Sequence, residues 1–248
     1  IVSDVGNYSV TYNMFGTPHR MSPDDHYADL KRIISAIGGK AASITVVMPM
    51  LYGGRQHRRN SRESLDCSQM LRELETMGVQ DIITFDAHDP RVQNAVPLMG
   101  FDNFFPTYQI LKALLQHYSE VNMSKEQFMI VSPDEGAMSR NIYYASVLGT
   151  DLGMFYKRRD YANVVNGRNP IVAHEYIGND VKGKDIFVAD DIIATGDSML
   201  KLCIELKERG AGKIFLSATY ALFTEGLQKF EDAYNKGLFT AVLSTNLT

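Results

Sequence analysis

The chain has 248 residues, 45% of them hydrophobic, which is enough apolar surface to build one large domain or two medium ones. Its 25 basic and 29 acidic side chains give a net charge of −4, so no overall basic field favours nucleic acid as a partner. The apolar runs are strand-sized, which predicts no membrane span, and two cysteines without a signal peptide indicate a reducing, cytoplasmic location.

Strand-like and helix-like segments alternate along the chain. The predicted strands cover residues 43–48, 81–85, 128–132, 153–156, 185–189 and 213–219. They are apolar at both odd and even positions, as is typical of strands buried on both faces of a parallel sheet. The alternation predicts an α/β fold with mostly parallel sheets flanked by helices.

The predicted helices carry clear start and stop signals. Ser22 is an N-cap, Pro23 follows at the first helical position, and Gly38 ends the helix. The predicted inward face of this helix holds Tyr27, Leu30, Ile33, Ile34 and Ile37. A second helix, with Leu71, Leu74 and Met77 inward, ends at Gly78, and a third ends at Gly210.

Acidic residues follow three of the apolar strands, at Asp86, at Asp134 and at the pair Asp190–Asp191. Ligands of open α/β sheets bind beyond the carboxyl ends of the strands. Three acidic strand ends therefore predict one or two composite binding sites. A domain division is placed between residues 103 and 104.

The segment ADDIIATGDSML, residues 189–200, joins the acidic pair to a short loop and a helix. Gly196 allows close approach of a ligand to the backbone, and a helix that starts near Asp197 offers free amides and a positive dipole end. These features favour a phosphate cradle. An ordinary turn, with Thr195 or Asp197 capping the helix, is the structural alternative.

Three further segments concentrate charge. Residues 52–64 contain Arg55, Arg58 and two more arginines, which suit phosphate oxygens but also fit a solvated basic loop. Asp86 and His88 alternate after a strand, so they could face one side and share a metal, although a structural histidine fits as well. Residues 154–160 place three cations at a strand exit, which indicates either an anion or a solvated strand end.

Together these segments resemble the ribose-phosphate pyrophosphokinases. Residues 186–198 are similar to the PRPP-binding motif that this family shares with the type I phosphoribosyltransferases. The other matches are Arg55-Gln56 with Arg58, Asp86-x-His88 with Gln93, Ser132-Pro133-Asp134, and Lys157-x-Arg159. Three positions depart from the family pattern: Ala194 and His57 stand where aspartates are usual, and Asp197 lies inside the phosphate loop.

The resemblance implies two type I phosphoribosyltransferase-like domains, residues 1–103 and 104–248. It implies transfer of the β,γ-pyrophosphoryl group of Mg²⁺–ATP to the 1-hydroxyl of ribose 5-phosphate, giving PRPP and AMP. The implied roles are ATP binding by Arg55, Gln56, Arg58 and His88, metal binding by His88 and Asp134, and catalysis by Lys157 and Arg159. Ribose 5-phosphate is expected at Arg159, Asp190, Asp191, Thr195, Gly196, Asp197 and Ser198.

Two alternatives stay open at this stage. One is a phosphoribosyltransferase that consumes PRPP, against which the basic loop and residues 84–93 argue. The other is a catalytically silent homologue that regulates an active partner, which the three departures favour. The resemblance also implies a homo-oligomer, dimer or hexamer, and terminal segments that are absent from this sequence, which begins at Ile1 rather than methionine.

Overall fold

The computed structural model describes residues 1–59, 61–159 and 171–247. The chain forms two compact units. Unit 1 comprises Ile1–Pro106 together with residues 246–247, and unit 2 comprises Thr107–Thr245. The units therefore divide between Pro106 and Thr107, whereas the sequence places the division after residue 103. None of the helices in the described residues is long and apolar enough to cross a membrane.

Unit 1 is a small parallel sheet covered by two helices. Its elements are β1 (Thr11–Met14), β2 (Thr17–Arg20), α1 (Pro23–Ile37), β3 (Thr45–Val47), α2 (Asp66–Thr76), β4 (Asp81–Phe85), a 3-10 helix (Pro90–Ala95) and β5 (Gly100–Phe104). The strands β3, β4 and β5 pair in parallel in that order. Leu30 from α1, Met70 and Leu74 from α2, and Val46 and Ile82 from the sheet form the core between these layers.

Local signals explain why α1 forms where the sequence predicts it. Ser22 accepts a hydrogen bond from the Asp25 amide, and the Asp25 carboxylate accepts one from the Ser22 amide, which is a complete capping box. Gly38 ends the helix in the left-handed conformation, with φ of 57°. Leu30 is buried as predicted, but Ile33 is half exposed, because the sheet covers a narrower stripe of α1 than the apolar pattern suggested.

A β-hairpin that the sequence analysis did not predict joins β1 to β2. Its two-residue turn has positive φ at Phe15 and Gly16, as a type I′ turn requires. The side chains alternate between two faces, and the apolar face carries Val10, Tyr12 and Met14, all exposed. Phe15 at the tip is fully exposed. The hairpin is thus an amphipathic ribbon.

Unit 2 is a larger sheet with helices on both faces. Its elements are α3 (Thr107–His117), β6 (Phe128–Ser132), α4 (Met138–Leu148), β7 (Asp151–Arg159), β8 (Ile171–Ile177), β9 (Asp185–Ile193), α5 (Asp197–Glu208), β10 (Ile214–Ala221), α6 (Gln228–Asn235) and β11 (Ala241–Ser244). The six strands lie in the order β11-β10-β9-β6-β7-β8, and all neighbours are parallel except β7 with β8.

Two hydrophobic layers lie between the sheet of unit 2 and its helices, one on each face of the sheet. On one face, Leu114 of α3 and Tyr144 of α4 pack on Ile130 and Phe187. The opposite face is covered by α5 and α6, whose buried side chains include Leu202, Cys203 and Phe230. A mostly parallel sheet covered on both sides confirms the predicted α/β fold.

Candidate functional site

The connections of unit 2 change direction between two neighbouring strands. From β6 the chain passes through α4 to β7, whereas from β9 it passes through α5 to β10 on the other side. The two helices lie on opposite faces of the sheet. Such a switch in strand order leaves a crevice beyond the carboxyl ends of the two strands, where open α/β sheets bind ligands. The carboxylates of Asp134, Asp190 and Asp191 lie at this end of the sheet.

Asp190 and Asp191 form a strongly interacting pair in the C-terminal half of β9, which continues to Ile193 and does not end before them as the sequence suggested. Burial and the neighbouring Asp191 charge raise the pKa of Asp190 well above its usual range. The Arg140 guanidinium, 3.7 Å from Asp190 Oδ1, opposes this shift. A proton, a cation or sugar hydroxyls would each relieve the repulsion, so the pair is suited to a polyhydroxylated or metal-bound ligand.

Asp134 follows β6 and shapes the turn into α4. Its carboxylate accepts a hydrogen bond from the Ala137 amide at 3.2 Å, and its carbonyl accepts one from the Ser132 hydroxyl at 2.8 Å. The Asp134 charge also contributes to the raised pKa of Asp190, so the two carboxylates share one electrostatic environment. Arg140, which supplies the opposing charge, is a site residue that the sequence analysis missed, although it lies inside the segment that contains Asp134.

The loop between β9 and α5 has the backbone of an anion cradle. Gly196 is the N-cap of α5, with φ of 80°, and no side chain caps the helix. A Cβ atom on Gly196 would lie 2.3 Å from the Phe230 ring, so the backbone conformation and the packing both require glycine. The amide of Asp197 donates only a long 3.5 Å bond to Thr195 Oγ1. Ser198 is exposed in the first turn of α5. The helix N-terminus therefore retains its affinity for an anion.

Asp197 does not cap its own helix, so the capping alternative is wrong for this residue. Its carboxylate accepts a hydrogen bond from Lys229 Nζ at 2.8 Å, and Lys229 also pairs with Glu225 at 2.7 Å. The hydrogen bond from Lys229 lowers the pKa of Asp197. Since Lys229 lies on α6, far along the chain, no local pattern in the sequence pointed to it. The loop thus contains a carboxylate that is paired with a neighbouring cation.

Lys157 and Arg159 belong to β7, whose backbone runs from Asp151 to Arg159. Their side chains lie outside the described part of the structure, and the expected catalytic roles stay predictions.

In unit 1 the basic loop is anchored at its base by Gln56. The Gln56 side chain donates to the Ser64 carbonyl at 3.0 Å, and the Gln56 backbone carbonyl accepts from the Cys67 amide. Arg55 and Arg58 are exposed. Gln56 thus connects the two ends of the loop, and both arginines are accessible from solvent.

His57 and Asp89 join this loop to the segment after β4. His57 Nε2 lies 3.6 Å from Asp89 Oδ2, and the His57 and His88 rings are 5.1 Å apart between centroids. Burial and then the His88 charge lower the pKa of His57. Asp89 also binds Arg91 in a charge-assisted pair, which lowers the pKa of Asp89 to about 2. Sequence reasoning missed Asp89, because its contact with His57 joins segments that are distant along the chain.

The expectation that Asp86 and His88 continue the strand pattern and face the same side is wrong. The strand β4 ends at Phe85, and Asp86 has a left-handed backbone with φ of 45°. Consequently Asp86 is buried, whereas His88 is exposed. Within the described residues, no three histidine, cysteine or acidic side chains are grouped so that they alone could hold a metal ion.

Comparisons with known proteins relate both units to enzymes of phosphoribosyl chemistry. Residues 102–246 match the family model of the phosphoribosyl transferase domain, and residues 11–78 match that of the N-terminal domain of ribose phosphate pyrophosphokinase. A ribose-phosphate pyrophosphokinase of Vibrio cholerae is 34% identical over 212 residues, which are 83% of this chain and 62% of that protein. One of Chlorobaculum tepidum is 29% identical, over 88% of this chain and 67% of that protein.

The fold is also similar to a solved structure. The crystal structure of phosphoribosylpyrophosphate synthetase from Mycobacterium smegmatis superposes with a TM-score of 0.76 at 20% identity, covering 96% of this chain and 80% of that one. This chain therefore shares that fold over nearly its whole length, while it spans less than two thirds of the Vibrio cholerae relative.

Proposed function

Because the chain belongs to the ribose-phosphate pyrophosphokinase family and has its phosphoribosyltransferase domain, we propose that it transfers pyrophosphate from ATP to ribose 5-phosphate. The single observation that best supports this activity is the crevice of unit 2. There an acidic pair lies in the C-terminal half of β9, shortly before a helix N-terminus without a side-chain cap. The first feature suits sugar hydroxyls and the second suits a phosphate, which are the two chemical ends of ribose 5-phosphate.

In this proposal each end of the sugar phosphate has its own partners. The backbone of residues 195–198 holds the 5-phosphate through amides and the helix dipole. The carboxylates of Asp190 and Asp191 accept hydrogen bonds from the ribose hydroxyls, which keeps the 1-hydroxyl in a fixed orientation for attack. Lys157 and Arg159 neutralise the charge that develops on the phosphoryl oxygens.

ATP is assigned to the basic loop of unit 1. Arg55 and Arg58 present exposed guanidinium groups to phosphate oxygens, and Gln56 holds the base of the loop. His88, exposed after β4, is proposed to contact the nucleotide and its metal ion.

The acidic side chains of the crevice fit Mg²⁺. This ion prefers oxygen ligands and commonly uses one or two carboxylates together with substrate phosphates and water, so no all-protein cage is needed. Asp134, whose charge reaches Asp190, is the proposed carboxylate in unit 2. When bound, Mg²⁺ would neutralise part of the triphosphate charge. A cytoplasmic homo-oligomer, dimer or hexamer, completes the proposal.

The test is AMP formation from ATP and ribose 5-phosphate by the full-length protein with Mg²⁺ and phosphate present. Activity that falls strongly in Lys157→Ala but persists in Arg158→Ala, a neighbouring cation outside the motif, supports the assignment. Absence of AMP refutes the synthesis of PRPP by this protein. Equal activity in both variants refutes the role of Lys157.

A silent regulatory homologue is the second candidate, favoured by the carboxylate of Asp197 inside the phosphate loop. The same assay separates the two, because a silent homologue binds ligands without forming AMP. Pairing of Asp197 with Lys229 favours the active enzyme, since the cation offsets the charge that would repel the 5-phosphate.

A further inference from the structure

The strands β6 and β9 separate before they reach the crevice. They pair from Phe128 and Asp185 to Ile130 and Phe187, and the pairing stops there. Above this point β6 keeps its other neighbour, β7, as far as Ser132, and β9 keeps β10 as far as Ile193. The edges of β6 and β9 that face each other therefore lose their ladder partners just below Asp190.

A side chain from α4 takes the place of the missing ladder. The Asn141 amide nitrogen donates to the Ala189 carbonyl at 2.8 Å, and the Asn141 oxygen accepts from the Ala189 amide at 3.2 Å. Both backbone groups of Ala189 are thus satisfied by one side chain, as a strand would satisfy them. Asn141 is completely buried, so these bonds lie in a dry environment.

The same side chain also reaches the end of β6. Its amide nitrogen lies 3.3 Å from Ser132 Oγ, and that hydroxyl donates to the Asp134 carbonyl at 2.8 Å. A third bond, to the Ala137 carbonyl at 2.8 Å, fixes Asn141 to the first turn of α4. One amide group therefore connects the two strand ends that carry Asp134 and the pair Asp190–Asp191.

We infer that Asn141 is a positioning residue, which holds the ends of β6 and β9 at a fixed separation and so aligns Asp190 and Asp191 with the ribose hydroxyls. This inference rests on the proposed binding of ribose 5-phosphate in the crevice. Asn141 itself is completely buried and contacts the backbone and Ser132, so it would act on the ligand only through the strands. The amide suits this task because it donates and accepts in one plane, which neither a hydroxyl nor a carboxylate of similar size can do at both Ala189 groups.

Asn141→Ala removes every bond between α4 and Ala189. The expected result is a loss of about 10-fold or more in ribose 5-phosphate affinity and a matching rise in its KM, as for other hydrogen-bond partners of site residues. The KM for ATP should change by less than about twofold, because the basic loop of unit 1 is proposed to bind ATP. Asn141→Ser, which is too short to reach Ala189 but keeps a hydroxyl near the Ala137 carbonyl, is a milder second variant.

Leu114→Ala is the matched control, because Leu114 is a fully buried side chain of α3 in the same unit and makes none of these bonds. It should lower the unfolding temperature and leave both KM values near those of the wild type. Three measurements are made on the full-length protein. These are the affinity for ribose 5-phosphate by calorimetric titration, the initial rates of AMP formation, and amide hydrogen exchange at Ala189.

Faster exchange at Ala189 in both Asn141 variants, together with weaker ribose 5-phosphate binding, supports the inference. Wild-type affinity and KM in these variants overturn the positioning role, and unchanged exchange overturns the hydrogen bonds themselves. If the wild-type protein neither binds ribose 5-phosphate nor forms AMP, the proposed function fails, and the ligand named for Asn141 fails with it.

Discussion

Replacement of Gly196 by alanine tests whether the proposed phosphate loop depends on close packing against α6. The new Cβ atom would lie 2.3 Å from two atoms of the Phe230 ring, which is itself buried. The backbone φ of 80° adds a second penalty, since a non-glycine residue in the left-handed region costs about 1–2 kcal/mol. Overpacking against a buried ring adds ~1–3 kcal/mol.

Gly183 provides the control that separates these two contributions. Its φ of 74° is similar, but a Cβ atom there would meet nothing within 4 Å. Gly183→Ala should therefore show the backbone penalty alone. Gly196→Ala should unfold at a temperature lower than Gly183→Ala by roughly 3–10 °C, as expected for an additional packing penalty in a domain of this size.

The assay is thermal unfolding followed by circular dichroism, combined with titration of ribose 5-phosphate. Phe230→Leu removes the ring edge, so Gly196→Ala should be less destabilising in that background, which is a coupling that a double-mutant cycle measures. Equal unfolding temperatures for Gly196→Ala and Gly183→Ala would refute the packing argument. Additive effects of Gly196→Ala and Phe230→Leu would refute it independently.

Three other predictions follow from the charges and burial of particular side chains. Lys229→Ala removes the cation beside Asp197, so the KM for ribose 5-phosphate should rise about 10-fold, because the unpaired carboxylate repels the phosphate. The double variant Lys229→Ala/Asp197→Gly should restore the wild-type KM, and a KM that stays high would contradict this account. Arg91 lowers the pKa of Asp89 to about 2, so the stabilisation from this carboxylate is complete above about pH 5 and is lost as the pH falls through about 2. Urea unfolding should show that Asp89→Asn is less stable than the wild type near neutral pH and equally stable at about pH 2, whereas a difference independent of pH would argue against the ion pair. Burial raises the pKa of Cys67 and Cys203 to about 12, so neither thiol should react with an alkylating reagent at about pH 8 until urea unfolds the chain, as mass spectrometry would report.

Elements specified by neighbouring residues could be predicted well from the sequence. The start and end of α1 depend on Ser22, Pro23 and Gly38, whose effects act within one helical turn. The strand β9 was predicted over residues 185–189 from an apolar run, and it continues to Ile193; the helix that follows was predicted after one glycine. In contrast, β5 has only exposed and half-buried side chains, so its hydrophobic signal is weak.

The parts of the site that could not be predicted depend on contacts between distant segments. Lys229 reaches Asp197 from another helix, and Asn141 reaches Ala189 from α4, which packs on the sheet. The local sequence around Asn141 indicates only a helix, because the opening between β6 and β9 that the amide fills exists only in the folded sheet. The predicted orientation of Asp86 was wrong for a related reason. The strand pattern continues in the sequence, but in the structure the left-handed backbone of Asp86 ends the strand.

The hairpin of unit 1 has two chemically different edges. Met14 pairs with Thr17 across the turn, and inward-facing and outward-facing pairs alternate from there. The outward-facing backbone groups are therefore those of Thr11 and Asn13 on one edge and of Pro18 and Arg20 on the other. Pro18 has no N–H group, which blocks strand addition along β2, whereas the β1 edge retains its donors. The β2 edge is therefore the poorer template for an added strand, because Arg20 is its one outward-facing donor. Because open-ended fibre growth needs pairing along both edges, the proline works against it in a protein that exposes an apolar ribbon.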